Sequence, residues 1–470
     1  MSDLWQALQP HLVFWLALSW AIYLVWLAGW IVLQKREPVA TLSWIMSLAL
    51  LPLLGLLIYH LLGPQRIRRH RLKRVVARAR VMEVEFGPKP AADTSALMRL
   101  AQGSSGFPPS TSERVQLLVG GAATFDALVA AIALARHHVH LEYYIFEADR
   151  TGTRIRDALI ERARAGVKVR LLLDALGSGG ASRQFLAPLR VAGGEVAFFH
   201  RFRLRRLWRP RLNLRSHRKI VVVDGRVGFT GGINISDTEN ETLRADAFHD
   251  LHVRIEGEAV RWLQLAFVED WAYASRQAPR EASQWPQLSA GPIRTQVLPA
   301  GPDSPWETIH RVMLAALHQG RQRIWLATPY FVPGEAARMA LTSAALRGLD
   351  VRLLVPARSD SRLVTAAARS YFEELMAAGV RVFEYPRMLH SKALLVDSDT
   401  CVLGSSNFDN RSFRLNFELC VLFEDPGLAA TLEAVLARDL ALAHEVIGPR
   451  HLRFWPRLGE ALARLLSPLL

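Results

Sequence analysis

Five residues recur along this chain at one fixed offset. His217, Lys219 and Asp224 form the pattern H-x-K-x4-D, with Gly231 and Asn234 behind them. His390, Lys392 and Asp397 form it again, followed by Gly404 and Asn407. Each member of the second set follows its counterpart at the same offset of 173. One such cluster can arise by chance in a basic chain, whereas two in register mark a repeat. The chain is therefore expected to fold as two similar units carrying their motifs at matching places.

The surrounding segments agree. From residue 115, strand-like and helix-like stretches alternate: VQLLVG, TFDALVAAIALARH, HVHLEYYIFE, TGTRIRDALIERARAG, VKVRLLLDAL. The order returns in IRTQVLPAG, WETIHRVMLAALHQG, RIWLATPYFV, ARMALTSAALRG and VRLLVPA. This is α/β architecture in two pseudo-symmetric halves, placed at 113–288 and 289–450. The halves should pack about a pseudo-two-fold axis with both motifs at the joint.

The stretch 1–65 is of another kind. Residues 12–33 and 39–62 contain no Asp, Glu, Lys or Arg, and each exceeds the roughly 20 residues that span a bilayer core. Only QKREP separates them, so they read as a membrane hairpin. The run is too long for a signal-peptide core, and no Lys or Arg precedes it. Next comes GPQRIRRHRLKRVVARAR, with seven Arg and one Lys and no acid. Lys and Arg gather on the cytoplasmic side, so the C-terminal part is expected there. Residues 66–112 read as a basic, flexible linker, and 451–470 as an amphipathic tail that either packs on the body or lies on the membrane. A formal net charge of +15 suits polyanions. Two apolar spans beside a basic belt favour anionic lipid over nucleic acid. With only Cys401 and Cys420, no disulfide framework is expected.

The paired motifs resemble those of the phospholipase D superfamily, and within it the membrane-anchored bacterial cardiolipin synthases. The likeness runs through KREPVATLSW, NLRSHRKIVVVDGRVGFTGGINISD, HDLHVRIEGEAV, LHSKALLVD and GSSNFDNRSFRLNFE. It implies phospholipase D-like α/β/α halves and a phosphatidyl transfer. One phosphatidylglycerol would donate to another through a phosphohistidine, giving cardiolipin and glycerol without metal or cofactor. On the resemblance, His217 is the nucleophile and His390 the acid/base.

The residue types suit that chemistry. A histidine can attack phosphorus and leave again, and a second can pass the proton. Lys219 and Lys392 would hold the non-bridging oxygens, while Asn234 and Asn407 add hydrogen bonds. Asp224 and Asp397 belong to the signature, but their distance along the chain from the histidine places them to organise a turn. Each imidazole also wants an orienting carboxylate. Glu418 is the expected acid of the second half and Asp250 that of the first, with Asp246 as alternative. Arg215, Arg411 and Arg414 are candidates for a second phosphate, with structural ion pairs as the competing reading for the last two. The basic-aromatic stretch 201–215 is read as an interfacial loop beside His217. His249, His252, His310 and His318 are read as ordinary structural residues. A phospholipase D-type hydrolase or a membrane-tethered nuclease is the rival reading, because the acceptor rather than the motif separates transfer from hydrolysis. A non-catalytic lipid-binding scaffold is the other.

Overall fold

The structure is a computed structural model describing residues 2–33, 38–51, 94–199, 215–277, 279, 281–448, 450 and 452–467. The basic stretches 66–93 and 201–214 lie outside these residues. The N-terminal segment and the α/β body are two separate units.

In the first unit, a 31-residue helix spans Ser2–Val32, starting well before the expected residue 12. Its section His11–Val32 is long and apolar enough to cross a membrane. A second helix, Pro38–Leu50, packs on it through Leu27, Ile31 and Leu48. The expected second span, 39–62, is described only to residue 51. Phe14, Trp15 and Val25 are exposed on the long helix. In water such a surface is a liability; in hydrocarbon it is solvated.

The body contains two sheets of matching strand order. The first has seven strands, ordered Arg114–Val119, Leu251–Glu256, Val227–Gly231, Ile220–Val223, His138–Tyr143, Lys168–Asp174 and Glu195–Phe199. The second repeats this order with Ile293–Ala300, Glu418–Glu424, Thr400–Gly404, Ala393–Val396, Arg323–Ala327, Asp350–Pro356 and Arg381–Tyr385. It adds Ser110–Ser112 at one edge and His444–Glu445 at the other. The motif strands IVVV and ALLV are wholly buried, as β-branched and aliphatic runs covered on both faces should be.

Between the sheets lies a shared apolar layer filled by two 17-residue helices, Ala259–Ser275 and Pro426–Leu442. From Trp262 to Trp271 every residue of the first is buried, the mark of a helix packed on all sides. Each sheet covers its other face with a separate core. The halves therefore share one interior.

One expectation needs correction. Residues 96–112 are not linker: Ala96–Ser105 is a helix whose Leu97, Met98 and Ala101 enter the second half's outer core. Ser110–Ser112 pairs antiparallel with residues 293–295. The tail packs on the body, since Phe454–Leu465 is a helix docked on the second half.

The joint is stitched by backbone. His217 N–H donates to Phe417 O at 2.8 Å, and His390 N–H to His249 O at 2.7 Å. Arg218, between the first His and Lys, crosses the same joint. Its guanidinium meets Asp270 at 2.5 Å and donates to the carbonyls of Glu418 at 3.0 Å and Ala300 at 3.1 Å. Arg218→Ala would remove the cation beside Asp270 in the shared core. A loss of about 3–5 kcal/mol is expected from denaturant unfolding, with much of it recovered in Arg218→Leu/Asp270→Leu.

Candidate active site

Both H-x-K segments lie immediately before their strands, which start at Ile220 and Ala393. Tight strand-to-strand pairing brings the next loops close: a Cβ on Gly231 would sit 2.6 Å from Leu251 O, and one on Gly404 2.4 Å from Leu419 O. Only glycine permits this approach, and it carries Asp250 and Glu418 to the ends of the neighbouring strands.

Those two carboxylates cross between the halves. His217 Nδ1 lies 3.0 Å from Glu418 Oε2, and His390 Nδ1 lies 2.6 Å from Asp250 Oδ2. Each acid thus serves the histidine of the other half, and each follows directly on the residue whose carbonyl holds that histidine's amide. An Nδ1–H held by a carboxylate leaves Nε2 as the reactive nitrogen. Asp246 is exposed and paired with Arg244, so it takes no part.

The lysines are buried beside the rings. Lys219 Nζ donates to His217 O at 2.8 Å and lies over the Tyr144 ring, while Lys392 Nζ donates to His390 O. Tyr144 also meets His217 edge-on, with ring centres 4.9 Å apart. Burial pulls the Lys219 ammonium down to about 7 against the attraction of Glu418. Lys392 is lowered by burial too, with Asp250 opposing. His217 is lowered by burial, with Glu418 opposing, and His390 falls well below the usual range through burial and Lys392. Burial lifts Asp250 to about 6. Burial also acts upward on Glu418, but His217 and Lys219 outweigh it and hold this carboxyl below its ordinary value. Burial is the first cause of each lowered base and of the raised Asp250, so the joint disfavours charge on these groups until a phosphodiester anion pairs with the lysines.

The two halves are not identical here. Ser405 Oγ donates to Glu418 at 2.5 Å. The matching position, Gly232, leaves no room for a side chain, because a Cβ would lie 2.3 Å from Asp250 Oδ1. Asn234 donates through Nδ2 to Glu239 Oε1 at 3.1 Å, whereas the Oδ1 of Asn407 is buried without a hydrogen bond. Sequence reasoning missed Glu239. It is buried, its Oε1 is 3.8 Å from His390 Nδ1, and burial and Asp250 raise it. No motif flags it, because the matching position of the repeat is Ser412. Glu239, Asp250 and His390 offer three donor atoms within 4.8 Å of one another. The short His390–Asp250 contact already occupies the Nδ1 lone pair or proton that a metal would displace.

The signature aspartates lie beyond the far end of their strands. Asp224 accepts the amides of Arg136, His137 and His138, and Asp397 those of Arg321, Gln322 and Arg323. Both adopt φ 53°, a left-handed turn conformation that Asp tolerates. Neither stands with the imidazoles, so the catalytic role implied by the signature gives way to a turn-holding geometry. Arg215 is buried, with a guanidinium nitrogen 3.8 Å from Asp174 Oδ1. Arg411 is half-buried, and its charge reaches the Tyr144 hydroxyl. Arg414 is exposed and paired with Glu307 at 3.1 Å, a structural ion pair rather than a phosphate contact. His249 lies 2.9 Å from Asp439, His310 is 3.0 Å from Glu307, His318 bonds Leu314 O, and His252 is buried in its strand.

Comparison with known proteins follows the same lines. The family described as "Cardiolipin synthase, PLD-like domain" matches residues 128–271 and 313–440. One described as "Phospholipase_D-nuclease N-terminal" matches 21–64. The cardiolipin synthase of Alkalihalophilus pseudofirmus is 37% identical over 98% of this chain and 95% of its own length. That of Geobacillus kaustophilus is 38% identical over 95% and 92%, and cardiolipin synthase 1 of Bacillus anthracis 35% over 96% and 93%. Among solved structures, the phosphatidylserine synthase of Haemophilus influenzae shares the fold. It has a TM-score of 0.62 at 16% identity, covering 80% of this chain and all of that one.

Two outcomes are expected. Asp224→Ala should cost about 1–3 kcal/mol of stability, through loss of the hydrogen bonds that three amides make to a charged carboxylate, with kcat of the folded enzyme near wild type. Free Lys219 titrates near 7, and a bound anion raises it, so binding should take up a proton just above neutrality. Affinity for a phosphonate analogue of phosphatidylglycerol should then fall as pH rises above about 7, by up to roughly tenfold per unit. Calorimetry in buffers of different ionisation enthalpy would count the proton.

Proposed function

Because the chain belongs to the cardiolipin synthase family, with its phospholipase D-like domain, we propose that it moves a phosphatidyl group from one phosphatidylglycerol to another. The observation that carries this reading is the crossed pair of imidazoles, each with Nδ1 on a buried carboxylate and a buried lysine alongside. His217 Nε2 attacks the donor phosphorus while the P–O bond to glycerol breaks. The leaving alkoxide takes a proton from His390, and glycerol departs. The terminal hydroxyl of a second phosphatidylglycerol gives its proton back to His390 and attacks phosphorus. The P–N bond breaks, and cardiolipin leaves with the enzyme restored.

Lys219 and Lys392 hold the non-bridging oxygens, where charge grows in the transition state. Asn234 and Asn407 support them, and Arg215 and Arg411 lie near Tyr144 to receive a second phosphate. Asp250 and Glu239 face the His390 ring, and together they favour its charged form when the anion is in place. Without that anion His390 is held neutral, so it becomes an acid only with substrate bound. The helix His11–Val32 anchors the enzyme in the membrane, and the basic segment after the hairpin puts the catalytic body on the cytoplasmic face. Substrates are anionic phospholipids of that membrane.

Purified enzyme given phosphatidylglycerol alone in mixed micelles should yield cardiolipin and glycerol in equal amounts by mass spectrometry. Phosphatidic acid without cardiolipin would make water the acceptor and the enzyme a hydrolase; turnover of DNA instead would make it a nuclease. His217→Ala should lower kcat by about 10³-fold or more and form no adduct. His390→Ala should accumulate phosphatidyl-His217, seen in the denatured protein, when the donor is a phosphatidyl ester of p-nitrophenol, whose leaving group departs without a proton. An adduct on His390 in His217→Ala would reverse the two roles.

A further inference from the structure

The tail helix Phe454–Leu465 presents two opposed faces. One is docked. Ala463 is buried in the second half's outer core, Glu460 pairs with Arg450 at 2.8 Å, and Ser467 Oγ meets the Tyr371 hydroxyl at 2.9 Å. The other face is apolar and bare. Phe454, Trp455, Leu458, Leu462, Leu465 and Leu466 are 68, 75, 36, 53, 74 and 42% exposed. At about 100° per residue these six fall within an arc of roughly 120°, and the docked residues fall outside it. Arg457 flanks the stripe on one side and Arg453 is exposed at its N-terminal end, whereas Arg464 belongs to the docked side, with Glu374 at 3.3 Å and the Tyr371 ring beneath it.

The helix also ends near the catalytic joint. Asn410 Nδ2 donates to Ser467 O at 3.3 Å, and Asn410 opens the short helix that carries Arg411. Arg411 O accepts the amide of Asn416 at 3.1 Å, and Asn416 Nδ2 donates at 3.1 Å to Glu418, the carboxylate on His217. A bare apolar stripe with a cationic flank is the composition of a helix that lies in the plane of a bilayer, its apolar side among the acyl chains and its arginines at anionic phosphates. A monomeric soluble surface rarely leaves such a stripe uncovered.

We propose that this face is a second, peripheral membrane contact. It seats the mouth of the active site on an anionic phospholipid surface, so that headgroups reach the imidazoles without the lipid leaving the bilayer. The proposal builds on the reading that donor and acceptor are bilayer phospholipids, and its test reads position independently of turnover.

Leu462→Cys can be labelled selectively, because Cys401 and Cys420 are both buried. The full-length protein, carrying an environment-sensitive dye there, is reconstituted in vesicles of phosphatidylglycerol and phosphatidylcholine. Lipids with a nitroxide at shallow depth should quench the dye, and aqueous iodide should not. Iodide quenching equal to that of free dye, with no lipid quenching, overturns the proposal. So does protection from both quenchers together with disulfide-linked dimers of unlabelled Leu462→Cys, which would make a second copy the occupant. In the same vesicles, Leu458→Glu/Leu462→Glu should raise the phosphatidylglycerol needed for half-maximal rate by roughly tenfold or more. An unchanged requirement counts against the proposal. Dye quenched by lipid in a preparation that makes no cardiolipin would keep the membrane contact and sink the functional reading; cardiolipin made with the dye in water would do the reverse.

Discussion

Two lysines and two imidazoles are buried at one joint, and that burial is the constraint from which the rest follows. Taking such groups out of water is costly unless acids meet them. The acids available are Asp250, Glu239 and Glu418, and the two that reach Nδ1 each come from the opposite half. The exchange requires the strands Leu251–Glu256 and Glu418–Glu424 to end beside the other half's motif. It also needs the motif glycines to let neighbouring strands close up. The shared apolar layer and the Arg218–Asp270 pair are what hold the two sheets in that relation. Stability and chemistry are therefore not separable here, and burial lowers both lysines at the joint in a way that a bound anion would oppose.

Much of this is legible in the sequence. The constant offset between the motifs announces the repeat, the alternation of strand and helix gives the α/β class, and the spacing of Asp224 from His217 hints that it serves a turn. The sequence also points to Glu418 and Asp250 as orienting acids, but their exchange is not visible there. The two do not keep the repeat offset, under which Phe423 would match Asp250, and which ring an acid meets is settled by how the halves dock. Arg218 is hidden for the same reason, since its partner Asp270 sits on a helix that only tertiary packing brings near. Residues 96–112 look like linker because GSSGFPPSTS is rich in turn formers, yet Ser110–Ser112 completes an edge strand once residues 293–295 offer a partner. Arg414 resembles a phosphate ligand until Glu307 stands next to it.

The pseudo-symmetry holds in the order of the seven shared strands and relaxes in the side chains. Under the repeat offset Gly232 matches Ser405, and Glu239 matches Ser412. The first position gives Glu418 a hydroxyl donor that Asp250 lacks. The second gives His390 an extra carboxylate neighbour that His217 lacks. Two environments built on one scaffold are what a reaction needs if one ring must attack while the other carries a proton.

The exchange of acids also bears on the life of the chain. A polypeptide that can cut phosphodiesters is hazardous while it is being made next to a membrane built of them. Here the first motif is translated well before the carboxylate that orients its histidine, since almost the whole second half separates them. A half-finished chain holds His217 without Glu418, and Asp250 without His390. The crossed set of imidazole–carboxylate pairs is complete only once synthesis has passed Glu418 and the halves have closed on each other.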